Sequence, residues 1–286
     1  MYSRAEKYFN GFDGTKLFLQ TWSKPDAKAT ILITHGQAEH SDCYQRLIDG
    51  LGQNLSVNFV AWDLRGHGKS DGLRGFAKDF SDYVQDYELF IQQALDLPQT
   101  KNKKKFILGH SMGGLIQTCS LIEKKDSQFF KNIQGQILSS PFFGLTMPVP
   151  LWKESAAGLI NQFLPQLTLG NEINFELLTR EIDIIKEYEK DTYRHSKIST
   201  GVFIGIKREL KNLESKLSDI KLPTFMSISD HDPVVSTSAA ISFFNSISSV
   251  DKTLKIIDGA KHELYNDTCR DEVFKSVSDF ILKGIS

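Results

Sequence analysis

Residues 108 to 115, Leu-Gly-His-Ser-Met-Gly-Gly-Leu, set a serine among small residues, directly after one apolar run and directly before another. Lys105-Phe106-Ile107-Leu108 reads as a short buried strand. Leu115, Ile116, Cys119, Leu121 and Ile122 recur at helical spacing, so Ser111 stands on a strand-to-helix corner. Glycines at 109 and 113 suit a corner too tight for larger side chains. Such a corner lifts the Ser111 hydroxyl clear of a sheet and leaves it at a helix N-terminus, which is what a nucleophile requires. A bare GxSxG also arises by chance in about one chain in ten of this length, so the weight falls on whether the chain supplies the serine's partners.

A serine hydroxyl is a weak nucleophile at neutral pH; it needs a histidine to take its proton and a carboxylate to hold that histidine in one tautomer. In an open parallel sheet these groups sit at the carboxyl ends of strands, where the ligand crevice lies. Of seven histidines, only His231 and His262 follow a late strand. Only His262, in "IIDGAKHELYND", stands after both the serine and a strand-end acid. For the acid, "SISDHDPVV" offers Asp230 and Asp232. Asp232 is preferred, although its place before Pro233 also suits a cap on a helix that Pro233 opens. Two backbone N–H groups must receive the developing oxyanion. One follows the nucleophile at Met112, and the second is expected at Gln37, in the loop "HGQAEH" after the apolar run "ATILIT".

The elements that position these groups follow from periodicity. "FDGT" joins two strand-like runs, Lys7 to Gly11 and Lys16 to Trp22, as a hairpin at the sheet edge. Ala29 to Thr34, Val57 to Trp62 and Lys105 to Leu108 read as central strands, with helices near Tyr44 to Gln53, Asp79 to Leu95 and Met112 to Lys124. Gln136 to Ser139 begins another strand. The pattern returns at Pro223 to Ser229, then a helix from Val234 to Ser246, a strand from Thr253 to Ile257 and a closing helix from Asp271 to Leu282. The alternation implies an α/β fold with a mostly parallel sheet covered on both faces.

Between them the alternation stops. Residues 142–214 carry three closely spaced prolines and then helical patterns without a central strand. The division expected is a core of 1–141 and 215–286 interrupted by a helical cap at 142–214. Trp152, Ala156, Leu159, Ile160, Phe163 and Leu164 share one helix face, ended by Pro165. Such a stripe is ordinary packing in many proteins. Beside a nucleophile it is also the surface an acyl chain needs, which makes Leu159 and Phe163 candidates for substrate contact and the cap a candidate for transient contact with a membrane surface.

At 286 residues the chain can bury a large core, and 40% hydrophobic with 24% charged residues is a globular composition. A net charge of −1 gives no general attraction to polyanions, so nucleic acid is not an expected partner. The start has no signal-peptide character and no apolar run approaches membrane-spanning length, so a cytoplasmic protein, free or resting on a membrane surface, is expected. Cys43, Cys119 and Cys269 show no CxxC spacing, and free thiols are expected rather than disulfides or a metal site.

Taken in order, "HGQAEHSDCY", "DLRGHGKSDG", "GHSMGG", "LPQLTLG", "SDHDPVV" and "DGAKHELYND" resemble the α/β-hydrolase fold, and more narrowly its monoacylglycerol lipase and lysophospholipase group. The resemblance implies a cofactor-free serine hydrolase acting on a single-chain acyl ester. Ser111 is then the nucleophile, His262 the base, Asp232 the orienting acid, and Gln37 and Met112 the oxyanion donors. Glu39 and His110 fall where family members line a head-group pocket. The chain departs from the family pattern at Ala38, where a second glycine is common, and at Cys43, where an arginine is common; the latter removes a fork of donors from the head-group region. A carboxylesterase or thioesterase on shorter acyl substrates is the alternative within the class. A non-catalytic module binding a hydrophobic ligand is the alternative outside it.

Overall fold

In a computed structural model, which describes residues 1–125, 127–146, 158, 160–164, 166–170 and 173–286, eight strands form one twisted sheet. In chain order they are β1 (Ser3–Asn10), β2 (Lys16–Ser23), β3 (Ala29–Thr34), β4 (Val57–Trp62), β5 (Lys104–His110), β6 (Ile133–Ser139), β9 (Thr224–Ser229) and β10 (Lys252–Ile257). Their spatial order is β1-β2-β4-β3-β5-β6-β9-β10. The six strands from β4 to β10 are mutually parallel, and β1 and β2 add an antiparallel edge through the Asp13-Gly14 turn. Two further strands, β7 (Thr168–Gly170) and β8 (Lys197–Ser199), pair with each other outside this sheet. At three residues each they are too short to register as a periodic pattern.

The central strands are buried along almost their whole length because both faces are covered. Alternate residues serve opposite layers. Leu32, Val60, Ile107 and Leu138 pack against α2 (Phe80–Leu95) and α3 (Met112–Glu123). Ile31, Ile33, Phe59, Phe106 and Leu108 pack against α1 (Gln45–Asn54) and α8 (Arg270–Ile285). Further helices among the described residues are α4 (Gln128–Lys131), α5 (Ile182–Lys190), α6 (Thr200–Leu213) and α7 (Thr237–Ser246). Asp79 caps α2 by accepting from Ser81 N–H at 2.8 Å, closing a reciprocal capping box with Asp82.

Between β6 and β9 the chain leaves the sheet and returns along its carboxyl edge. There α6 lies directly on the start of α2. A β-carbon at Gly205 would fall 2.6 Å from that of Phe80, and one at Gly201 2.2 Å from the Lys78 carbonyl. The helix after β9 begins at Thr237 rather than Val234, with Ser236 as its cap. Asp232 therefore does not cap a helix; its carboxylate closes a tighter turn, which matters below. Trp152, Ala156 and Leu159, with Pro165, lie outside the described residues, so the apolar stripe is visible only at its end, where residues 160–163 are helical.

Candidate active site

β5 ends at His110 and α3 starts at Met112, so one residue makes the whole corner. Ser111 has φ 49° and ψ −120°, a backbone conformation costly for any residue with a β-carbon, of order 1–3 kcal/mol. Backbone bonds hold it there. Ser111 N–H donates to the Ser139 carbonyl at 3.0 Å, and its own carbonyl accepts from Gly114 and Phe142, each at 3.0 Å. The flanking glycines are required sterically. A β-carbon at Gly113 would lie 2.3 Å from the Thr34 carbonyl, and one at Gly109 2.7 Å from Gly114 Cα.

Loops after β10 and β9 bring the partners. His262 Nε2 lies 3.0 Å from Ser111 Oγ, and Nδ1 lies 2.8 Å from Asp232 Oδ2. Asp232 Oδ1 accepts from the N–H groups of Val234 and Val235 at 2.8 and 3.0 Å, which fixes the carboxylate plane and leaves Oδ2 for the imidazole. With Nδ1–H donating to Asp232, Nε2 is the acceptor that faces the hydroxyl. Burial opposes a charge on His262, but the neighbouring Asp232 carboxylate outweighs it and holds the imidazole above its ordinary value. Asp232 is likewise opposed by burial and held low by His262. Asp230 points elsewhere, pairing with the exposed His231 at 2.7 Å. Of the two acids the sequence offers, the structure brings Asp232 to His262.

Gln37 and Met112 line the same cavity as Ser111. Met112 opens α3, so its N–H belongs to the first turn that no intrahelical carbonyl satisfies. The loop before Gln37 is pressed against Ser111, since a β-carbon at Gly36 would meet that of Ser111 at 3.0 Å. Among the described residues neither N–H donates to another backbone carbonyl. Ala38 has φ 68°, the left-handed region that favours glycine, which gives the glycine common at this position its physical reason.

Ser111 and His262 open into a cavity of ≈ 600 Å³ with two distinct ends. One is apolar, lined by Leu145, Ile160, Phe175, Phe203, Ile206 and Val234. The other holds Glu39, Arg194 and Glu263, all buried. Arg194 grips Glu263 in two bonds of 3.0 and 3.2 Å, stands 3.9 Å from Glu39 and stacks over Tyr188 at 3.6 Å. Burial works against Glu263, yet the guanidinium holds its carboxyl at about 2. Glu39, desolvated and repelled by Glu263, is pushed up to about 7 while accepting from Gly36 N–H and Tyr44 O–H. His110 lines the same end; burial and the nearby His262 keep it neutral, with a pKa of about 3. A second, more open groove of ≈ 750 Å³ between α1 and α8 is lined largely by charged residues and lies away from Ser111.

Sequence reasoning placed Glu39 and His110 on this cavity but not Arg194 or Glu263. Glu263 adjoins His262, which was the one available signal; a lone arginine in a polar segment carries none. The cavity also differs from expectation at Phe163, which is 73% exposed and does not line it. The helical segment ends at residue 163, so the last turn of the stripe overhangs solvent and Ile160 takes the inner place.

Residues 25–269 match the sequence profile of the family described as serine aminopeptidase S33. The phospholipase YtpA of Bacillus subtilis is 30% identical over 266 residues, which cover 91% of this chain and 97% of YtpA. The monoglyceride lipase of Homo sapiens is 32% identical over 264 residues, 89% of this chain and 82% of that one. An abhydrolase domain-containing protein of Dictyostelium discoideum is 30% identical over 96% of this chain, and the matched region is 28% of that protein's length. The crystal structure of a soluble variant of monoglyceride lipase from Saccharomyces cerevisiae, 22% identical, superposes with a TM-score of 0.86 and covers 98% of this chain and 95% of that one, which establishes the fold. The chain belongs to the serine aminopeptidase S33 family of α/β hydrolases and, within it, to the monoacylglycerol lipase and lysophospholipase group.

Proposed function

We propose that this protein hydrolyses carboxylic esters of single-chain lipids through an acyl-enzyme. The observation that carries the reading is the line from Ser111 Oγ through His262 to Asp232, with bonds of 3.0 and 2.8 Å, opening on a cavity whose larger part is apolar. Ser111 attacks the ester carbonyl as His262 takes its proton, and the N–H groups of Gln37 and Met112 receive the oxyanion. His262 then protonates the departing alcohol and activates a water molecule that releases the fatty acid.

In this reading residues 142–214 cap the cavity. Leu145, Ile160 and Phe203 receive the acyl chain, and Glu39 meets the head group. The Arg194 guanidinium is already taken by Glu263 in two bonds, so the polar end suits an uncharged polyol better than a phosphodiester, which needs a free cation. The exposed Phe163, Leu164, Leu167 and Leu169 supply an apolar outer face for transient contact with a membrane surface. Among the described residues no helix is long and apolar enough to cross one.

The test is a hydrolysis profile over p-nitrophenyl esters of increasing chain length, monoacylglycerols and lysophosphatidylcholine, with Ser111→Ala and a fluorophosphonate label alongside. Expected are a maximum at medium or long chains, preference for the monoacylglycerol over the lysophospholipid of equal chain, and no labelling of Ser111→Ala. A maximum at acetate overturns the lipid reading, and persistent labelling overturns the nucleophile.

A further inference from the structure

One cluster of donors takes no part in the reaction just described. His40 Nε2, a carboxylate oxygen of Asp191 and Cys43 Sγ all lie within 4.8 Å of one another, the one such trio of possible metal ligands among the described residues. Local structure explains the convergence. His40 caps the 3₁₀ turn Ser41–Tyr44, closed by Cys43 N–H donating to the His40 carbonyl at 3.0 Å. That bond folds the chain back between residues 40 and 43 and brings the two side chains near one another. Asp191 arrives from the end of α5; its Oδ1 accepts from Tyr193 N–H at 2.9 Å, and its Oδ2 lies 2.7 Å from His40 Nε2.

We propose that His40, Cys43 and Asp191 bind one divalent cation of zinc type, and that the bound ion staples the segment carrying Asp191 to the loop carrying Gln37. One sulfur, one nitrogen and one oxygen are a borderline-soft donor set. It suits Zn²⁺ with a water molecule as fourth ligand and excludes Mg²⁺ and Ca²⁺, which take oxygen alone. Metal–ligand bonds of about 2.0–2.3 Å put tetrahedral ligand atoms about 3.3–3.7 Å apart. The His40–Asp191 pair therefore widens by less than about 1 Å, a side-chain adjustment. Burial is graded in the right sense: the His40 side chain is 7% exposed and that of Asp191 24%, leaving a way in from solvent. Arg194 interacts with Cys43, but its charge is already matched by Glu263 at 3.0 Å. None of the three residues lines the cavity, so the ion acts by fixing the cap against the core.

Binding is tested on the whole chain without substrate, so its outcome is independent of the reaction proposed above. Titration with Co²⁺ should give one equivalent bound with a thiolate-to-metal charge-transfer band that Zn²⁺ abolishes by competition. Zn²⁺ should slow iodoacetamide alkylation of wild-type Cys43 at least tenfold while leaving Cys269 unchanged, a readout needing no variant. Cys43→Ser should lose the band, and Asp191→Asn should weaken binding at least tenfold. Equal alkylation of Cys43 with and without Zn²⁺, protection at Cys269 instead, or a band that survives in Cys43→Ser overturns the site. The staple is read separately, as the ratio of long-chain ester hydrolysis with Zn²⁺ to that with a chelator. It should fall well below one in wild type and stay near one in Cys43→Ser; a ratio of one in wild type with the site occupied overturns the staple.

Discussion

On the sheet side of the cavity, Ser111, Asp232 and His262 follow the carboxyl ends of β5, β9 and β10; backbone groups of the core hold Ser111 and Asp232, and His262 N–H donates to the Leu177 carbonyl at 3.4 Å. On the facing side Arg194 and Asp191 are fixed by ion pairs to Glu263 and His40. The first arrangement is built into the chain's path: once the strands pair in register, the corner at 111 and the turn at 232 have one solution. The second depends on side chains 69 and 151 residues apart in sequence finding each other. Ser111, Asp232 and His262 thus rest on strand ends, and Arg194 and Asp191 rest on side-chain ion pairs.

The sheet side should fail through chemistry with the fold intact. Asp232→Asn keeps an acceptor for the Val234 and Val235 N–H groups but destroys the tautomer that leaves Nε2 facing Ser111. Turnover should fall about 10⁴-fold with little change in stability. Asp230→Asn, one turn away and bonded to His231, should stay within a few-fold of wild type. Equal losses in the two would break the distinction drawn at β9.

The facing side should fail through stability. Arg194→Met leaves Glu263 buried with no counter-charge, and removing one partner of a buried pair costs about 3–5 kcal/mol. Thermal or urea unfolding measures it, and adding Glu263→Gln should recover a large part. A loss below about 1 kcal/mol, the worth of a surface pair, would mean that this side is held by packing, and the contrast with the sheet side would collapse.

Those two expectations also mark what was legible in the sequence. The convergence of Ser111, His262 and Asp232 is legible because each sits at a strand end flagged by an apolar run, a glycine or a proline. The helix after β9 was misjudged because Asp232-Pro233 looks like a helix start, and only coordinates reveal that its carboxylate closes a turn ahead of Ser236. Strands β7 and β8 are shorter than any period can register. Arg194 was invisible for a stronger reason. Cys43 implied that this region lacks a guanidinium, whereas the structure supplies one from the opposite wall, and pairing of single charges across such distances leaves no local trace.

A smaller effect separates the two carboxylates that flank Arg194. Glu39 has a folded pKa of about 7 against an ordinary 4.5, so between those values the folded chain keeps a proton that the unfolded chain has lost. Stability therefore falls as pH rises through that window. Glu263, held at about 2, has the opposite sign, and its contribution, present above 4.5, is lost only as pH falls toward 2. Glu39→Gln keeps the acceptor oxygen for Gly36 and Tyr44 and removes the titration. Unfolding measured from pH 4.5 to 7 should show wild type losing stability relative to the variant, by at most about 1.4 kcal/mol per pH unit. A constant difference across the window would mean that Glu39 is ionised throughout and that Arg194 serves both acids.

The finest test falls on Ala38, where the two sides touch: its carbonyl accepts from His195 N–H at 3.3 Å, and its φ of 68° strains a residue with a β-carbon. Left-handed backbone costs such a residue about 1–2 kcal/mol, while glycine gives back about 0.5–1 kcal/mol through the greater freedom of its unfolded chain. Ala38→Gly should therefore stabilise by about 0.5 kcal/mol, the difference of those two opposing effects. In a thermal melt that is a rise on the order of 1–2 °C. The sign is the informative part. A gain means that the conformation is imposed by the chain's own path into Glu39, as at Ser111. A loss means that the contact with His195 selects it, which would extend the side-chain-held wall across the cavity to the loop that carries Gln37.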